Sequence, residues 1–336
     1  MIIEYLGKSV DTKHFDGILE PEKIQYVRDN YYTENKDLAL KQLKGCLLEG
    51  KTNTNHIYNY YFERIAADTI YYATKWSINQ ALASDELVQL FINKTKINDK
   101  VFEGKDLVKD FKTALRLTGK GYASKPSNFP LKECVSILKA LQDLSGNGKI
   151  YLDPCCGWGI RLLASAVLDL DYIGFDVNAN LIPKLKELAE DIKTIKPNFR
   201  YMIFEQGSQY LVPELVGCVD FCFTSPPYFN LEDYGNNDLE KQDSYRTTNY
   251  DQWVEMFVNP LIDCLIQYIK PTGKIAFNVK DFRGYPLVQS FTKSSIDRGL
   301  TQCGYLSMKN ITRVGGSSSG KKTFVDNDEG VYIFSK

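Results

Sequence analysis

Apolar and polar residues follow two different patterns along this chain. In the first third, apolar residues recur at helical spacing, which predicts helices over residues 21–28, 37–44 and 57–82. The last of these stretches carries many aromatic residues, which indicates either core packing or a stacking surface for nucleic acid. We therefore predict a mainly helical region over residues 1–118, with target recognition or oligomerisation as its candidate roles.

From residue 149 onward, short apolar runs alternate with amphipathic helical stretches. This alternation predicts a mostly parallel sheet with helices on both faces, and two final strands joined by a loop predict an antiparallel edge hairpin. A stretch rich in Gly, Pro and Ser precedes this part, so we place a second domain at residues 119–336. The predicted strands are residues 149–154, 171–176, 200–204, 219–223, 274–279, 305–314 and 330–335, and the predicted helices are 131–144, 159–170, 181–195, 250–269 and 286–298.

Composition and charge narrow the class of protein. The 336 residues are 43% hydrophobic and 25% charged, which is ordinary for a globular protein. The net charge of −1 creates no overall positive field, so a polyanionic partner would need a local concentration of basic residues. No apolar run approaches the roughly 20 residues that cross a bilayer, and the N-terminus lacks the features of a signal peptide. We expect a cytoplasmic protein without a membrane partner.

The cysteines and histidines predict neither a disulfide framework nor a metal site. The eight cysteines are scattered, and the two histidines are His14 and His56. None of them shows the paired spacing of zinc ligands, so we predict no metal. Because histidine is scarce, we also expect a chemistry that needs no histidine base.

One predicted strand ends abruptly in Ser225-Pro226-Pro227-Tyr228-Phe229. Two prolines cannot continue a central strand, because neither donates a ladder hydrogen bond and each fixes φ. They hold a hydroxyl and an aromatic ring at the carboxyl end of a strand, where open α/β sheets bind ligands. The proline carbonyls can accept hydrogen bonds from an amino group, and Tyr228 offers a face to a flat heterocycle. The alternative is a proline-rich strand exit without chemical consequence.

A glycine-rich turn follows the first strand of the second domain. It reads Asp153-Pro-Cys155-Cys-Gly157-Trp158-Gly159 and leads directly into a predicted helix. Glycines let the backbone approach a ligand closely, and the helix N-terminus favours acceptor groups. Asp176, at the end of the second strand, is positioned to bind the two hydroxyls of a ribose. A third glycine is missing, so the turn is not the dinucleotide fingerprint.

The order of these motifs resembles the DNA amino-methyltransferases, which methylate exocyclic amines of bases with S-adenosylmethionine. The resemblance covers roughly residues 120–336 and implies a Rossmann-like class I methyltransferase fold of the α/β class, with a seven-stranded, mostly parallel sheet. Ser-Pro-Pro-Tyr is similar to the family's motif IV, and Lys125 with its neighbours is similar to motif X. Ser208 stands where the family contacts adenine, although the customary acidic residue is absent. The resemblance implies catalytic roles for Ser225, Pro226, Pro227, Tyr228 and Phe229, and cofactor contacts for Asp153, Cys155, Gly157, Trp158, Gly159, Asp176, Ser208 and Lys125.

The implied reaction is methyl transfer to an amino group of a flipped-out DNA base. Ser225 and the Pro226 carbonyl would accept hydrogen bonds from the amine, and Tyr228 and Phe229 would flank the base. A serine before Pro-Pro-Tyr is more frequent in enzymes that act on cytosine N4, with adenine N6 as the runner-up. RNA as the substrate, and a non-catalytic nucleic-acid-binding subunit, remain as further alternatives.

Other readings of the sequence are less favoured. Pro154-Cys155 supplies the dipeptide of cytosine-C5 enzymes, but it lies in the glycine-rich turn and not after the fourth predicted strand. Residues 315–322 nearly match a phosphate-binding loop, yet Lys322 replaces its Ser or Thr and a strand follows.

For sequence recognition we predict a role for the N-terminal region, with residues 230–249 closing over the site. Membership of a restriction-modification pair is a further expectation from the resemblance.

Overall fold

The computed structural model of the chain describes residues 2–11, 17–71, 74–95, 105–118, 123, 126, 128–229, 231–233, 249–308 and 329–336. The chain forms two compact units. The first comprises Met1–Ala39, Asn55–Ser127 and Asn230–Asn237, and the second comprises Leu40–Thr54, Asn128–Phe229 and Asp238–Lys336. The prediction of separate domains at residues 1–118 and 119–336 stays a prediction.

The first unit is mainly helical, as its apolar spacing predicts. Its core joins Ile24 and Val27 with Trp76, Phe91 and Phe111, all 2% exposed or less. A hairpin of β1 and β2 precedes the helices and was not expected from the sequence. The elements up to residue 118 are β1 (Ile2–Tyr5), β2 (Lys8–Asp11), α1 (Pro21–Asn30), α2 (Lys36–Glu49, which extends into the second unit), α3 (Asn55–Tyr61), α4 (Glu63–Ala66), β3 (Ile70–Tyr71), α5 (Ile78–Ala83), α6 (Asp85–Thr95) and α7 (Lys105–Thr118).

The single helix predicted over residues 57–82 is wrong. The chain leaves the helix after Ala66 and forms β3, which pairs with β8 (Glu232–Asp233). A new helix then begins after Ser77, whose hydroxyl accepts a hydrogen bond from the N–H of Gln80 at 3.1 Å. The Gln80 side chain accepts in return from the N–H of Ser77, which completes a capping box. This reciprocal cap fixes a helix start in the middle of the apolar pattern.

The second unit contains a seven-stranded sheet with the order β10-β11-β9-β7-β4-β5-β6. Among these strands β11 alone runs opposite to the other six. Numbered within this sheet, the order is 3-2-1-4-5-7-6 with the seventh strand reversed, which is the class I methyltransferase fold. The predicted fold class and edge hairpin are confirmed. The strands are β4 (Ile150–Asp153), β5 (Asp171–Asp176), β6 (Tyr201–Glu205), β7 (Val219–Thr224), β9 (Ile269–Val279), β10 (Thr301–Ser307) and β11 (Gly330–Ser335).

Helices cover this sheet and build its core. Trp253, Phe257 and Leu261 are fully buried with strand residues such as Phe175 and Phe277. Truncating a buried aromatic of this size typically costs about 3–5 kcal/mol. The helices are α8 (Leu131–Leu144), α9 (Ile160–Val167), α10 (Leu181–Ile195), α11 (Tyr250–Trp253), α12 (Asn259–Tyr268) and α13 (Leu287–Asp297). No helix in the described part of the chain is both long and apolar enough to cross a membrane.

Two prolines lie where the structure departs from the predicted elements. A π-helical segment, Val254–Val258, joins α11 to α12 directly before Pro260. Because proline has no N–H for the carbonyl of the preceding turn, the helix widens there instead of keeping its ordinary ladder. Strand β9 continues through Pro271, where we expected a break, and its register against β7 shifts between Val219 and Phe221. The irregular register lets a central strand accommodate a proline.

Candidate functional site

The candidate site lies at the carboxyl ends of β4, β5 and β7 in the second unit. β4 pairs with β5 on one side and with β7 on the other, so the strand order reverses at β4. In open α/β sheets this reversal leaves a crevice outside the strand ends, where ligands bind. The glycine turn follows β4, Asp176 ends β5, and Ser225 follows β7.

The glycine turn is closed by Asp176. Gly157 and Gly159 have φ of +54° and +70°, a backbone conformation that favours glycine. The N–H of Gly157 donates to Asp176 Oδ2 at 3.1 Å, and the N–H of Asn178 donates to Asp176 Oδ1 at 3.0 Å. Gly157 and Asp176 are nineteen positions apart, and this hydrogen bond therefore holds the glycine turn against the end of β5.

The carboxyl of Asp176 has a pKa above its ordinary value. Burial raises the pKa of its carboxyl to about 6, although the N–H groups of Asn178 and Gly157 act in the opposite direction. At neutral pH the group is still mainly ionised, so it can accept hydrogen bonds from a vicinal diol.

Asp153 is fully buried, and its carboxylate is occupied by groups of the protein itself. Arg161 Nε lies 3.0 and 2.9 Å from its two oxygens, the Tyr172 hydroxyl donates to Oδ2 at 3.0 Å, and the Thr224 hydroxyl donates to Oδ1 at 3.3 Å. The N–H of Cys155 also donates to Oδ1, at 3.3 Å. A direct cofactor contact of Asp153 stays a prediction, and the observed partners make it the organiser of the turn.

Arg161 is a residue that our sequence reasoning missed. Its side chain is 8% exposed, pairs with Asp153, and donates from Nη2 to the carbonyl of Cys155. Burial would lower the pKa of this guanidinium, but the charge of Asp153 outweighs it and the pKa is raised. The sequence signal was a charged residue inside the apolar start of α9, directly after the glycine turn.

Ser208 follows β6 and is 2% exposed. Its hydroxyl is buried without a hydrogen-bond partner among the described residues. An orphaned buried hydroxyl is costly unless a ligand or water completes it. This observation fits the contact with a heterocycle that the resemblance implies for Ser208.

The two hydroxyl groups of the Ser-Pro-Pro-Tyr segment, which follows β7, differ in their hydrogen bonds. Ser225 is half-buried, and its hydroxyl has no partner in the described parts of the chain. Pro226 is buried, while Pro227 and Tyr228 are half-buried. The Tyr228 hydroxyl accepts a hydrogen bond from the N–H of Lys280 at 3.1 Å, directly after β9. The segment is thus anchored at its aromatic end, while Ser225 at the other end is half-buried.

Phe229 requires a correction. The sequence predicted that its ring flanks a bound base, but it is 1% exposed. The ring packs edge-on against Tyr250 and Tyr285, with centroids 5.5 and 4.9 Å apart, and lies 6.0 Å from Trp253. Apolar contact with these rings outcompetes exposure, so Phe229 anchors the segment in the core.

The remaining predicted residues differ in what the structure says of them. Trp158 and Cys155 are half-buried in the turn. Burial raises the pKa of the Cys155 thiol to about 12, so it stays protonated at neutral pH and is a poor nucleophile. Lys125, the loop at 315–322 and most of the segment 230–249 lie outside the described residues. Within the described ranges, no three His, Cys, Asp or Glu side chains form a metal-binding group.

Comparison with known proteins adds structural likenesses of low similarity. No protein-family model and no curated protein sequence matches the chain. A TehB-like SAM-dependent methyltransferase from Corynebacterium glutamicum is similar at 15% identity and a TM-score of 0.38, over 68% of this chain and 97% of that one. A putative RNA methyltransferase from Pyrococcus horikoshii matches at 16% identity and a TM-score of 0.36, over 61% and 83%.

Magnesium protoporphyrin IX methyltransferase from Synechocystis, solved with bound SAM, matches at 12% identity and a TM-score of 0.37. This likeness covers 71% of this chain and 88% of that one. At such identities and scores the likenesses leave the substrate open. The fold assignment rests on the strand order and directions described above.

Proposed function

We propose that the chain is an S-adenosylmethionine-dependent methyltransferase that acts on an exocyclic amine of a flipped-out DNA base, with cytosine N4 as the favoured acceptor. One observation carries this proposal: the glycine turn closed by Asp176 and the Ser225-Pro226-Pro227-Tyr228 segment follow the carboxyl ends of neighbouring strands. A donor site and an amine-binding site at the same sheet edge are what a direct transfer requires.

Four features of the chain fit this cofactor. The carboxylate of Asp176 suits the ribose hydroxyls, and the positive φ of Gly157 and Gly159 leaves the backbone open to close approach. The orphaned hydroxyl of Ser208 suits the adenine ring, and Trp158 lies within the turn. S-adenosylmethionine supplies an electrophilic methyl group on a sulfonium. The residues named here bind and orient it.

The acceptor side needs positioning more than a strong base. The lone pair of an exocyclic amine is delocalised into the ring, which makes it a poor nucleophile. Hydrogen bonds from its two hydrogens to Ser225 Oγ and the Pro226 carbonyl favour a tetrahedral nitrogen whose lone pair is directed at the methyl group. The methylated amine then releases its proton to solvent water, so the scarcity of histidine is no obstacle. Fixed dipoles and geometry supply the catalysis.

Tyr228 holds the face of the flipped base. Stacking on an aromatic ring is worth about 1–3 kcal/mol per base and tolerates different bases. Because the hydroxyl of Tyr228 is bonded to the N–H of Lys280, the ring is pre-oriented. A base inside a duplex cannot reach this segment, so the target must be extruded.

Adenine N6 is the second candidate acceptor, because both bases present an amino group. A serine before Pro-Pro-Tyr is more frequent in cytosine-N4 enzymes but is not confined to them. RNA follows, since the proposed contacts read the amine and not the sugar. A non-catalytic nucleic-acid-binding subunit is the alternative from another class. Cytosine-C5 chemistry is disfavoured, because Pro154-Cys155 lies in the glycine turn after β4 and not after β7.

The deciding experiment labels the product. The purified protein is incubated with S-adenosylmethionine carrying a radioactive methyl group and mixed DNA, and the digested nucleosides are separated. We expect N4-methylcytosine. N6-methyladenine would keep the reaction but overturn the base, and a label in RNA alone would overturn the substrate. Cofactor binding without any labelled nucleic acid would favour the non-catalytic role.

Sequence recognition is proposed to lie in the N-terminal region, residues 1–118. Deleting residues 1–115 should therefore change the site preference of the enzyme. A soluble truncated enzyme with the same preference would contradict this assignment.

A further inference from the structure

A buried hydrogen bond joins the ends of β4 and β7. The hydroxyl of Thr224 donates to Asp153 Oδ1 at 3.3 Å, and both residues are 0% exposed. Thr224 ends β7 and directly precedes Ser225, and Asp153 ends β4 and begins the glycine turn. The bond therefore connects the two halves of the proposed site.

The Asp153 end of this bond is rigid. Arg161 Nε lies within 3.0 Å of both carboxylate oxygens and also holds the carbonyl of Cys155 through Nη2. The hydroxyl of Tyr172, on the neighbouring strand β5, also donates to Oδ2, at 3.0 Å. A carboxylate held by a buried guanidinium and a phenol cannot rotate freely. It therefore fixes the position of the Thr224 hydroxyl relative to the glycine turn.

The Thr224 end is rigid for a different reason. Threonine is branched at Cβ, so few side-chain rotamers are open to it in a strand. A fixed hydroxyl on Thr224 fixes the backbone that leads into Ser225. The two prolines that follow restrict φ and prevent the segment from relaxing independently.

We propose that Thr224 is a positioning residue, which sets Ser225 relative to the glycine turn through the carboxylate of Asp153. This inference rests on the proposed function, because it assigns Ser225 to the acceptor and the turn to the cofactor. Occupation of the turn then orders the Ser225 segment, and the distance between methyl donor and amine depends on the Thr224 hydroxyl.

The chain offers a matched control for this link. The Tyr151 hydroxyl donates to the carbonyl of Phe223 at 2.9 Å, which also joins β4 to β7 but does not touch Asp153. Tyr151→Phe removes a buried bond between the same two strands and leaves the Thr224–Asp153 link intact. It separates a general weakening of the strand pair from a specific loss of the link.

The experiment compares Thr224→Val, Thr224→Ser and Tyr151→Phe with the unchanged full-length chain. S-adenosylmethionine affinity, the methyl-transfer rate at saturating cofactor, and the melting temperature are measured for each. Thr224→Val should keep the cofactor Kd within about 3-fold but slow transfer by about 10-fold or more, since misplaced reactants lose rate and not binding. Thr224→Ser, which restores the hydroxyl, and Tyr151→Phe should both stay within about 3-fold in rate.

A second readout does not depend on the acceptor. Hydrogen exchange of the peptide over residues 219–229 is followed with and without S-adenosylhomocysteine. We expect this ligand to slow exchange at Ser225 and Tyr228 in the unchanged chain and in Tyr151→Phe, but not in Thr224→Val. Equal protection in all variants, or parallel loss of binding and transfer in Thr224→Val, would overturn the inference.

The two proposals fail in different ways. If the unchanged chain binds cofactor but methylates no nucleic acid, the proposed function fails, and exchange protection still decides whether the link operates. If it binds no S-adenosylmethionine, both proposals fall together.

Discussion

The Tyr228 hydroxyl accepts a hydrogen bond from the backbone N–H of Lys280 at 3.1 Å. This bond ties the segment after β7 to the residue after β9, so the phenol ring is oriented by the protein and not by a ligand. The hydroxyl therefore has an anchoring role, and the proposed function assigns the ring to contact with a base.

Replacing Tyr228 separates these two roles. Tyr228→Ala should lower kcat/KM by about 10- to 100-fold, because it removes stacking worth about 1–3 kcal/mol. Tyr228→Phe keeps the ring and loses one neutral hydrogen bond, so the loss should be about 2- to 10-fold. Steady-state methyl transfer to DNA measures both. Equal losses in the two variants would show that the hydroxyl matters and stacking does not.

The affinity for S-adenosylmethionine should depend on pH through Asp176. Its pKa is raised to about 6 by burial, and the ionised carboxylate is the form that accepts the ribose hydroxyls. Affinity should therefore be high above that pH and fall as the carboxyl becomes protonated below it. Calorimetric titration from pH 5 to 8 checks this, with Asp176→Asn as the control that should bind weakly and with little pH dependence.

The same group makes a prediction of opposite sign for the ligand-free fold. The pKa of Asp176 is higher in the folded chain than its ordinary value of 3.8, so the folded state binds the proton more tightly. The contribution of Asp176 to the free energy of unfolding therefore falls as pH rises from about 4 to about 6. Compared with Asp176→Asn, the unchanged chain should lose relative stability over this interval in denaturant titrations. A constant difference between the two chains would contradict it.

Arg161 should matter for the fold as well as for the site. Removing one partner of a buried ion pair typically costs about 3–5 kcal/mol, because the other charge is left uncompensated. Arg161→Ala should therefore lower the melting temperature strongly and weaken cofactor binding. Arg161→Lys keeps the charge but cannot span Asp153 and the carbonyl of Cys155 together, so its effect should be intermediate. A melting temperature unchanged in Arg161→Ala would refute the organising role.

Asp220 clamps the opposite end of the sheet. Its carboxylate accepts from the N–H groups of Lys149 and Ile150 at 2.9 and 2.8 Å, and from Lys270 Nζ at 2.7 Å. Gly148 leaves room for it, because a Cβ there would collide with the Cβ of Asp220. Asp220→Ala should destabilise the fold by about 1–3 kcal/mol, since N–H groups lose their acceptor. Urea unfolding measures this, and cofactor affinity per folded molecule should be unchanged.

The clamp also contributes to acid sensitivity. Partial burial would raise the pKa of Asp220, but the hydrogen bonds from Lys270, Ile150 and Lys149 outweigh it and lower the pKa. A group with a depressed pKa stabilises the fold above its unfolded pKa and loses this contribution as pH falls through the folded value. Asp220→Asn should therefore be less sensitive than the unchanged chain to acid below about pH 4. Identical acid unfolding curves would argue against the clamp.

Local sequence determined much of the second unit. The limits predicted for the strand at residues 171–176 and for the helices at 131–144 and 181–195 agree with β5, α8 and α10. The two helices have a periodic apolar face and the strand is a continuous buried run, so burial and local preference favour the same element in each case. The sequence also placed the motif residues correctly at the carboxyl ends of β4, β5 and β7, because strand ends and turn chemistry are local signals.

Only the tertiary structure decided which side chains face one another. The ring of Phe229 looks like a second stacking face in the sequence, yet contact with Tyr250, Trp253 and Tyr285 buries it. The links from Asp153 to Arg161 and Thr224 cross eight and seventy-one positions of the chain, and the latter depends on the pairing of β4 with β7. Periodicity reports the face on which a residue lies but not its partner, because the partner is chosen by packing between elements distant in sequence.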